Sequence, residues 1–397
     1  MKTFLASTLL AAVTVACLHG ETFPRQLEES LQRAGENRDE LKKALAEPAP
    51  AAEDVSYLVN RASQSDLANL TAAQLKNTVD LSRKAMGMPW YQGPGGVTPD
   101  MWREYVLPYR VLDEPLDDWR PGFYEALASQ VEGCQTSGEA AVIAHKWIWS
   151  AVEENHKPRP RVQFDNNAGE YRNMSPGQLI KLHSGSCFDI NILQVAVMRA
   201  IGVPARFCCV PYWTDADECY HSWIEYWDTK SSRWVPLDAV SDARVLLVAM
   251  RRFAVAYALP GYSSEPDLIG KERWDLMENT TEKYCSMNPK VKFARLKVRL
   301  EAETSQAAVP ITVYTYNYGA WRAVAMSSTT NMEAEFPLCA TDGMYPYLVS
   351  ASVNGQLFWS LCPVLSHTKN EIVLQKDTPN KDVACPPFAP QPATTGG

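Results

Sequence analysis

GSCFDINILQVAVMRAIGVPAR, residues 185–206, holds an apolar run long enough for a core helix, entered through Ser184-Gly185-Ser186 and left through Gly202. Cys187 opens that helix. A thiol is mostly protonated at neutral pH, and a helix N-terminus beside a histidine stabilises its thiolate; the same terminus leaves backbone N–H groups to hold a developing oxyanion. Three β-rich runs follow, VPARFCCVPYW, YHSWIEYWD and SRWVPLDAV, the second alternating in polarity. One helix packed on an antiparallel sheet is the implied unit, and the fold class is α+β. His221 starts the second run, where it can take the thiol proton, and Asp238 in the third can fix the imidazole tautomer. Taken singly, Cys187 reads as a small buried hydrophobe, His221 as a satisfied surface or core residue and Asp238 as a turn residue. Together they form a nucleophile, a base and an orienting carboxylate in one segment. Asp228 and Asp242 compete for the third role but are less well placed relative to Trp234.

In this order and spacing, Gly202 to Arg206, His221 to Glu225 and Trp234 to Asp238 resemble the transglutaminase-like superfamily with its papain-like thiol core. That family shows a Cys at a helix start, a G-[IV]-P-A-R turn, H-[AS]-W-x-E and W-x-x-x-D. The resemblance carries the triad onto Cys187, His221 and Asp238 and is close over about residues 175 to 240. A weaker one, to multi-domain exported members from Bacteroidetes and related gut bacteria, extends into the helical N-terminal part. Phe188-Asp189 departs from the small or polar residues that many members carry after the Cys.

Around this centre the reading assigns a signal peptide at 1–17, a charged and mobile helical spacer at 18–53, a helical N-terminal region at 54–160, the core at 161–288, a C-terminal β-sandwich at 289–376 and a disordered tail at 377–397. Thr71, Thr136 with Glu139, and Ser175 are the expected helix caps. One long helix is expected over TSGEAAVIAHKWIWSAVEEN. Beyond Pro289, alternating runs between polar turns suggest the sandwich. Trp223, Trp227 and Trp234 read as sheet core. Tyr212, Trp213 and His183 are candidates to line the cleft, Arg206 to hold the turn, and His145, on an amphipathic helix, to serve packing.

Lys2, the apolar run Phe4 to Val15 and the small residues after it form an export signal too short to span a bilayer. Cys17 resembles an acylated lipobox cysteine although Thr14 replaces the usual aliphatic residue, so lipid anchoring and simple cleavage both stand, as do periplasmic, cell-surface and secreted destinations. A net charge of −8 and a pI near 5.4 disfavour nucleic acid. Of the ten cysteines, eight remain after Cys17 and Cys187, which permits four disulfides of open connectivity. No zinc-type spacing and no DxDxDG loop occurs, and the triad chemistry implies no cofactor. The expected function is an exported thiol enzyme that acts on amide bonds of a protein or peptide through an acyl-enzyme, hydrolytic as a peptidase or amidase in preference to cross-linking. The alternatives are a non-catalytic surface binding or scaffolding protein that works through the sandwich, and a peptide N-glycanase-like amidase.

Overall fold

The computed structural model describes residues 25–93, 95–154, 157–165, 174–214, 221–239, 253–261, 263, 268–288, 291–317, 319–341, 345–366 and 368–375. The leader 1–17 with Cys17, the competitor Asp242 and the tail 377–397 lie outside these residues. The chain divides into two compact units. The first comprises Met1–Arg206, Tyr226–Val235 and Pro260–Pro266; the second comprises Phe207–Glu225, Pro236–Leu259 and Asp267–Gly397. The stretch 161–288, expected as one core, contributes to both.

The first unit carries helices α1 (25–33), α2 (Arg38–Leu45), α3 (Ala51–Asn60), α4 (Gln64–Asn69), α5 (Ala72–Ala85), α6 (Pro99–Tyr105), α7 (Trp119–Val131), α8 (Ser137–Trp149), α9 (Pro176–Leu182) and α10 (Cys187–Ala200). Thr71 with Gln74, Thr136 with Glu139 and Ser175 with Gln178 form reciprocal capping boxes, which fix the starts of α5, α8 and α9. Where a mobile spacer is expected, α1 and α2 instead pack: Leu31, Leu41 and Ala44 are buried, and Asn37 Nδ2 donates to the carbonyls of Leu67 and Leu70 at 2.8 Å each. The reason is the leucine spacing, which puts an apolar stripe on otherwise charged helices. The helix expected to run on to Asn155 ends at Trp149. Ser150 is extended, and Ala151–Glu154 (β1) pairs antiparallel with Lys157–Pro160 (β2). A short parallel pair joins Gln163–Phe164 (β3) to Ser184–Gly185 (β4).

α10 is buried from Phe188 to Ala200. It packs against α5, α7, α8 and α9, which explains why its sequence is apolar around the whole circumference instead of along one stripe. Its polar interior residues are satisfied locally: His145 Nδ1 lies 2.7 Å from Gln194 Oε1, and Gln194 Nε2 donates to Asn191 Oδ1 at 2.6 Å. At its C-terminal end Gly202 has φ +81°, and its carbonyl accepts from Trp90 Nε1 (3.1 Å) and Tyr91 Oη (2.8 Å). A Cβ there would lie 2.7 Å from Ala85 Cβ. Gly202→Ala is therefore expected to lower unfolding free energy by about 1–3 kcal/mol, combining left-handed strain with overpacking. Urea titration followed by tryptophan fluorescence checks this, and an unchanged midpoint would refute it.

A sheet of order β7-β6-β5-β8-β9 has β5 Ala205–Val210, β6 His221–Asp228, β7 Arg233–Asp238, β8 Tyr257–Ala258 and β9 Glu278–Asn279; residues 207–210, 221–225, 236–238 and all of β8 and β9 fall in the second unit. The helix α11 (Thr281–Met287) follows it. Cys208, Val210, Trp213, Trp223, Phe253, Tyr284, Cys285 and Cys339 share one buried cluster. Beyond α11 come β10 (Phe293–Leu300), β11 (Pro310–Asn317), β12 (Ala320–Ser328), β13 (Glu333–Cys339), β14 (Tyr347–Val353), β15 (Gln356–Cys362) and β16 (Asn370–Leu374). They form sheets of order β13-β10-β16 and β12-β11-β14-β15. Alternating burial along β10 and β11 shows one inward face per sheet. MYPYLVSASVNGQLFWS, which reads as one run, is a hairpin. Asn354 and Gly355, at φ +51° and +78°, supply the two-residue turn between Val353 and Gln356. β13, EAEFPLC, lies outside the runs expected from the sequence, yet Ala334, Phe336 and Leu338 alternate inward along it.

Candidate active site

Cys187 is the first residue of α10, half-buried, and is delivered by a closely specified turn. His183 ends α9 at φ +61° and points Nδ1 at the carbonyls of Pro160 (3.2 Å) and Arg161 (3.0 Å). It thus shapes the entry to the thiol helix. Ser186 is the N-cap: its Oγ accepts from Asp189 N, while Asp189 Oδ2 accepts from Ser186 N (3.0 Å) and Ser186 Oγ (2.7 Å). The departure Phe188-Asp189 thereby gains a physical account, because Asp189 completes a capping box and sits at the positive end of the helix. Gly185 is required for the close approach, since a Cβ there would lie 2.7 Å from Leu179 Cδ1 and 2.9 Å from Asp189 Cβ.

In the second unit, His221 Nε2 and Asp238 Oδ2 are 2.9 Å apart. The carboxylate is almost wholly buried, and its other oxygen accepts from Ala239 N at 2.7 Å. The imidazole stacks with Trp213 (centroids 5.8 Å apart, planes at 21°) and with Trp223 (6.3 Å, 28°). Trp213 is buried in the core cluster, forms a bridge with Phe253, and its carbonyl accepts from Asn317 Nδ2 at 2.7 Å. Its observed role is contact with the histidine. Tyr212 lies under the Arg322 guanidinium, 5.9 Å from its ring centroid.

Glu225, four residues after His221, is fully buried and paired with Lys283 Nζ (2.6 Å) and Tyr284 Oη (2.5 Å), and that hydroxyl in turn accepts from Trp223 Nε1 (2.5 Å). Burial, then the neighbouring Cys208 and Glu225, holds the Tyr284 phenol well above its ordinary range, so it stays a neutral donor to Glu225. These α11 residues lie some sixty positions from the strand they brace, and no local pattern announces them. In the first unit, Arg206 stacks its guanidinium 4.4 Å from the Trp234 ring centroid, with Tyr105 and Trp227 edge-on to the same indole. The G-V-P-A-R turn and the W-x-x-x-D strand are thereby locked together at their shared structural residues. The competitor Asp228 is occupied as a turn cap, accepting from Lys230 N, Ser231 N and Ser231 Oγ.

The model of the transglutaminase-like superfamily matches residues 125–239, under a third of the chain. No curated protein matches it. Among solved structures, a candidate cysteine protease from Cytophaga hutchinsonii is 17% identical over 31% of this chain and 38% of its own, with a TM-score of 0.24. Red sea bream transglutaminase is 10% identical over 64% of this chain and 58% of its own, with a TM-score of 0.25. The chain thus spans less than two thirds of either structure. At such scores neither informs the geometry.

Proposed function

With a transglutaminase-like superfamily domain at residues 125–239 as the premise, we propose that this chain is an exported thiol enzyme that opens amide bonds through an acyl-enzyme on Cys187. The observation that carries the reading is the buried Asp238 carboxylate on His221 Nε2. That bond favours the tautomer with its proton on Nε2, which leaves Nδ1 with the lone pair that accepts the thiol proton. In the proposed cycle the Cys187 thiolate attacks the carboxamide or peptide carbonyl, and backbone N–H groups at the start of α10 stabilise the oxyanion. The His221 imidazolium returns its proton to the departing amine or ammonia. Water is the proposed acceptor in the second half, which makes the chain a peptidase or amidase acting on protein or peptide. Export rests on the sequence of Met1 to Cys17, with a lipid on Cys17 as one route to the membrane surface.

Cysteine labelling tests this. Burial pushes the thiols of Cys209 and Cys362 up to about 12 and also raises those of Cys134 and Cys339. Below pH 7, iodoacetamide is therefore expected to modify Cys187 in the folded protein at least about tenfold faster than any of these four, with the advantage lost in His221→Ala. Peptide mapping by mass spectrometry reads the result. Labelling of Cys187 at the rate of a model thiol would sink the proposal. Acceptor choice is read separately, as ammonia release without incorporation of a fluorescent primary amine.

A further inference from the structure

Cys285 on α11 and Cys339 at the end of β13 bring their sulfurs to 3.1 Å across 54 residues of chain. Both are buried in the core cluster of the second unit. Their backbones are held from several sides. Cys339 N donates to the Ala254 carbonyl at 2.9 Å and its own carbonyl accepts from Tyr347 Oη at 2.8 Å. On the other side, Thr280 N donates to the Ala256 carbonyl at 2.8 Å and Asn279 Nδ2 to the Pro337 carbonyl at 3.1 Å, which ties the start of α11 to β13's own strand. A disulfide needs a sulfur separation of about 2.05 Å, so closure asks for roughly 1 Å of side-chain movement between elements that already touch.

We propose that Cys285 and Cys339 form a structural disulfide in the mature protein. The step is a thiol–disulfide exchange with a disulfide oxidant, either a small-molecule disulfide or a disulfide-bonded oxidoreductase. One cysteine thiolate attacks the oxidant and releases its first thiol. The second cysteine then attacks the mixed disulfide and releases the other, so that two protons and two electrons leave the protein and the oxidant departs as two thiols. Burial, reinforced by the neighbouring Cys285, holds the Cys339 thiol well above its ordinary range. Cys339 is therefore a slow nucleophile in the folded protein, and the closed bond is sheltered from reductants by the same burial.

The bond has a consequence for the catalytic strand, which rests on the function proposed above although the cross-link itself does not. α11 carries Lys283 and Tyr284, which hold Glu225 and Trp223 on the strand that begins with His221. Pinning α11 to β13 limits the motions available to that brace.

The experiment uses the full chain secreted into an oxidising compartment, denatured in N-ethylmaleimide and digested without reductant. The expected product is a linked peptide joining Cys285 to Cys339. The same protein reduced with dithiothreitol is expected to melt roughly 5–10 °C lower, and Cys285→Ser/Cys339→Ser to melt with the reduced form and ignore the reductant. Recovery of both cysteines as maleimide adducts, or of either one bridged to a different cysteine, overturns the proposal, and neither result depends on whether Cys187 is reactive.

Discussion

Asp238→Asn is expected to slow turnover about 10⁴-fold while the fold survives, because the exchange is nearly isosteric and reverses the polarity of one hydrogen bond. Ala239 N donates to Asp238 Oδ1 at 2.7 Å, and that donor needs an acceptor, so an asparagine would keep its oxygen there. Its amide nitrogen would then face His221 Nε2, where the carboxylate oxygen now stands at 2.9 Å. An N–H aimed at Nε2 demands a lone pair on that atom and moves the ring proton to Nδ1. In the proposed mechanism that is the nitrogen that must accept from Cys187. The measurable outcomes are loss of turnover on a carboxamide-bearing peptide and a fall of at least about tenfold in Cys187 alkylation at pH 6, with circular dichroism unchanged. Alkylation within a factor of about two of the parent would remove Asp238 from the mechanism.

Arg120→Met should be the most damaging single change to the fold. Arg120 is fully buried on α7, where Nη1 donates to the Arg199 carbonyl (2.8 Å) and Nη2 to those of Val106 (2.8 Å), Leu107 (3.2 Å) and Pro108 (2.7 Å). One guanidinium thus ties the chain leaving α6 to the end of α10. Burial, with Arg199 close by, lowers its pKa to about 9, which leaves it charged and donating at neutral pH. Methionine preserves much of the apolar stem and strands the carbonyls. Each unsatisfied buried carbonyl costs on the order of 1–3 kcal/mol, against a total stability of about 5–15 kcal/mol for a typical domain. The expected result is insoluble chain, or a melting midpoint more than about 10 °C lower. Arg120→Lys, with one compact donor group in place of the fork, should fall between. A methionine variant within about 1 kcal/mol of the parent would show that these bonds are replaceable by solvent.

Much of the framework was legible because its causes are local. The caps at Thr71, Thr136 and Ser175 are written in short polar patterns, and the helix from Cys187 follows from an apolar run closed by a glycine, whereas the Ser186 cap emerged only in the structure. The misread places share a different cause. The end of α8 at Trp149 and the β1–β2 hairpin depend on a partner strand, and α1 and α2 dock because distant helices offer them an apolar face. β13 does alternate, but Pro337 interrupts a short run, and its place beside β10 is set by pairing.

The sequence by itself determined where a thiol would start a buried helix, which histidine would open a strand and which aspartate would end the next, since spacing and polarity act within a few residues. Only the tertiary structure decided that Asp238 engages Nε2, that Trp213 and Trp223 stack on the imidazole, that Lys283 and Tyr284 satisfy Glu225, and that Cys285 faces Cys339. Those pairings join residues up to 59 positions apart. A buried charge or donor must find a partner wherever the packed chain brings one, and no periodicity along the sequence encodes that choice.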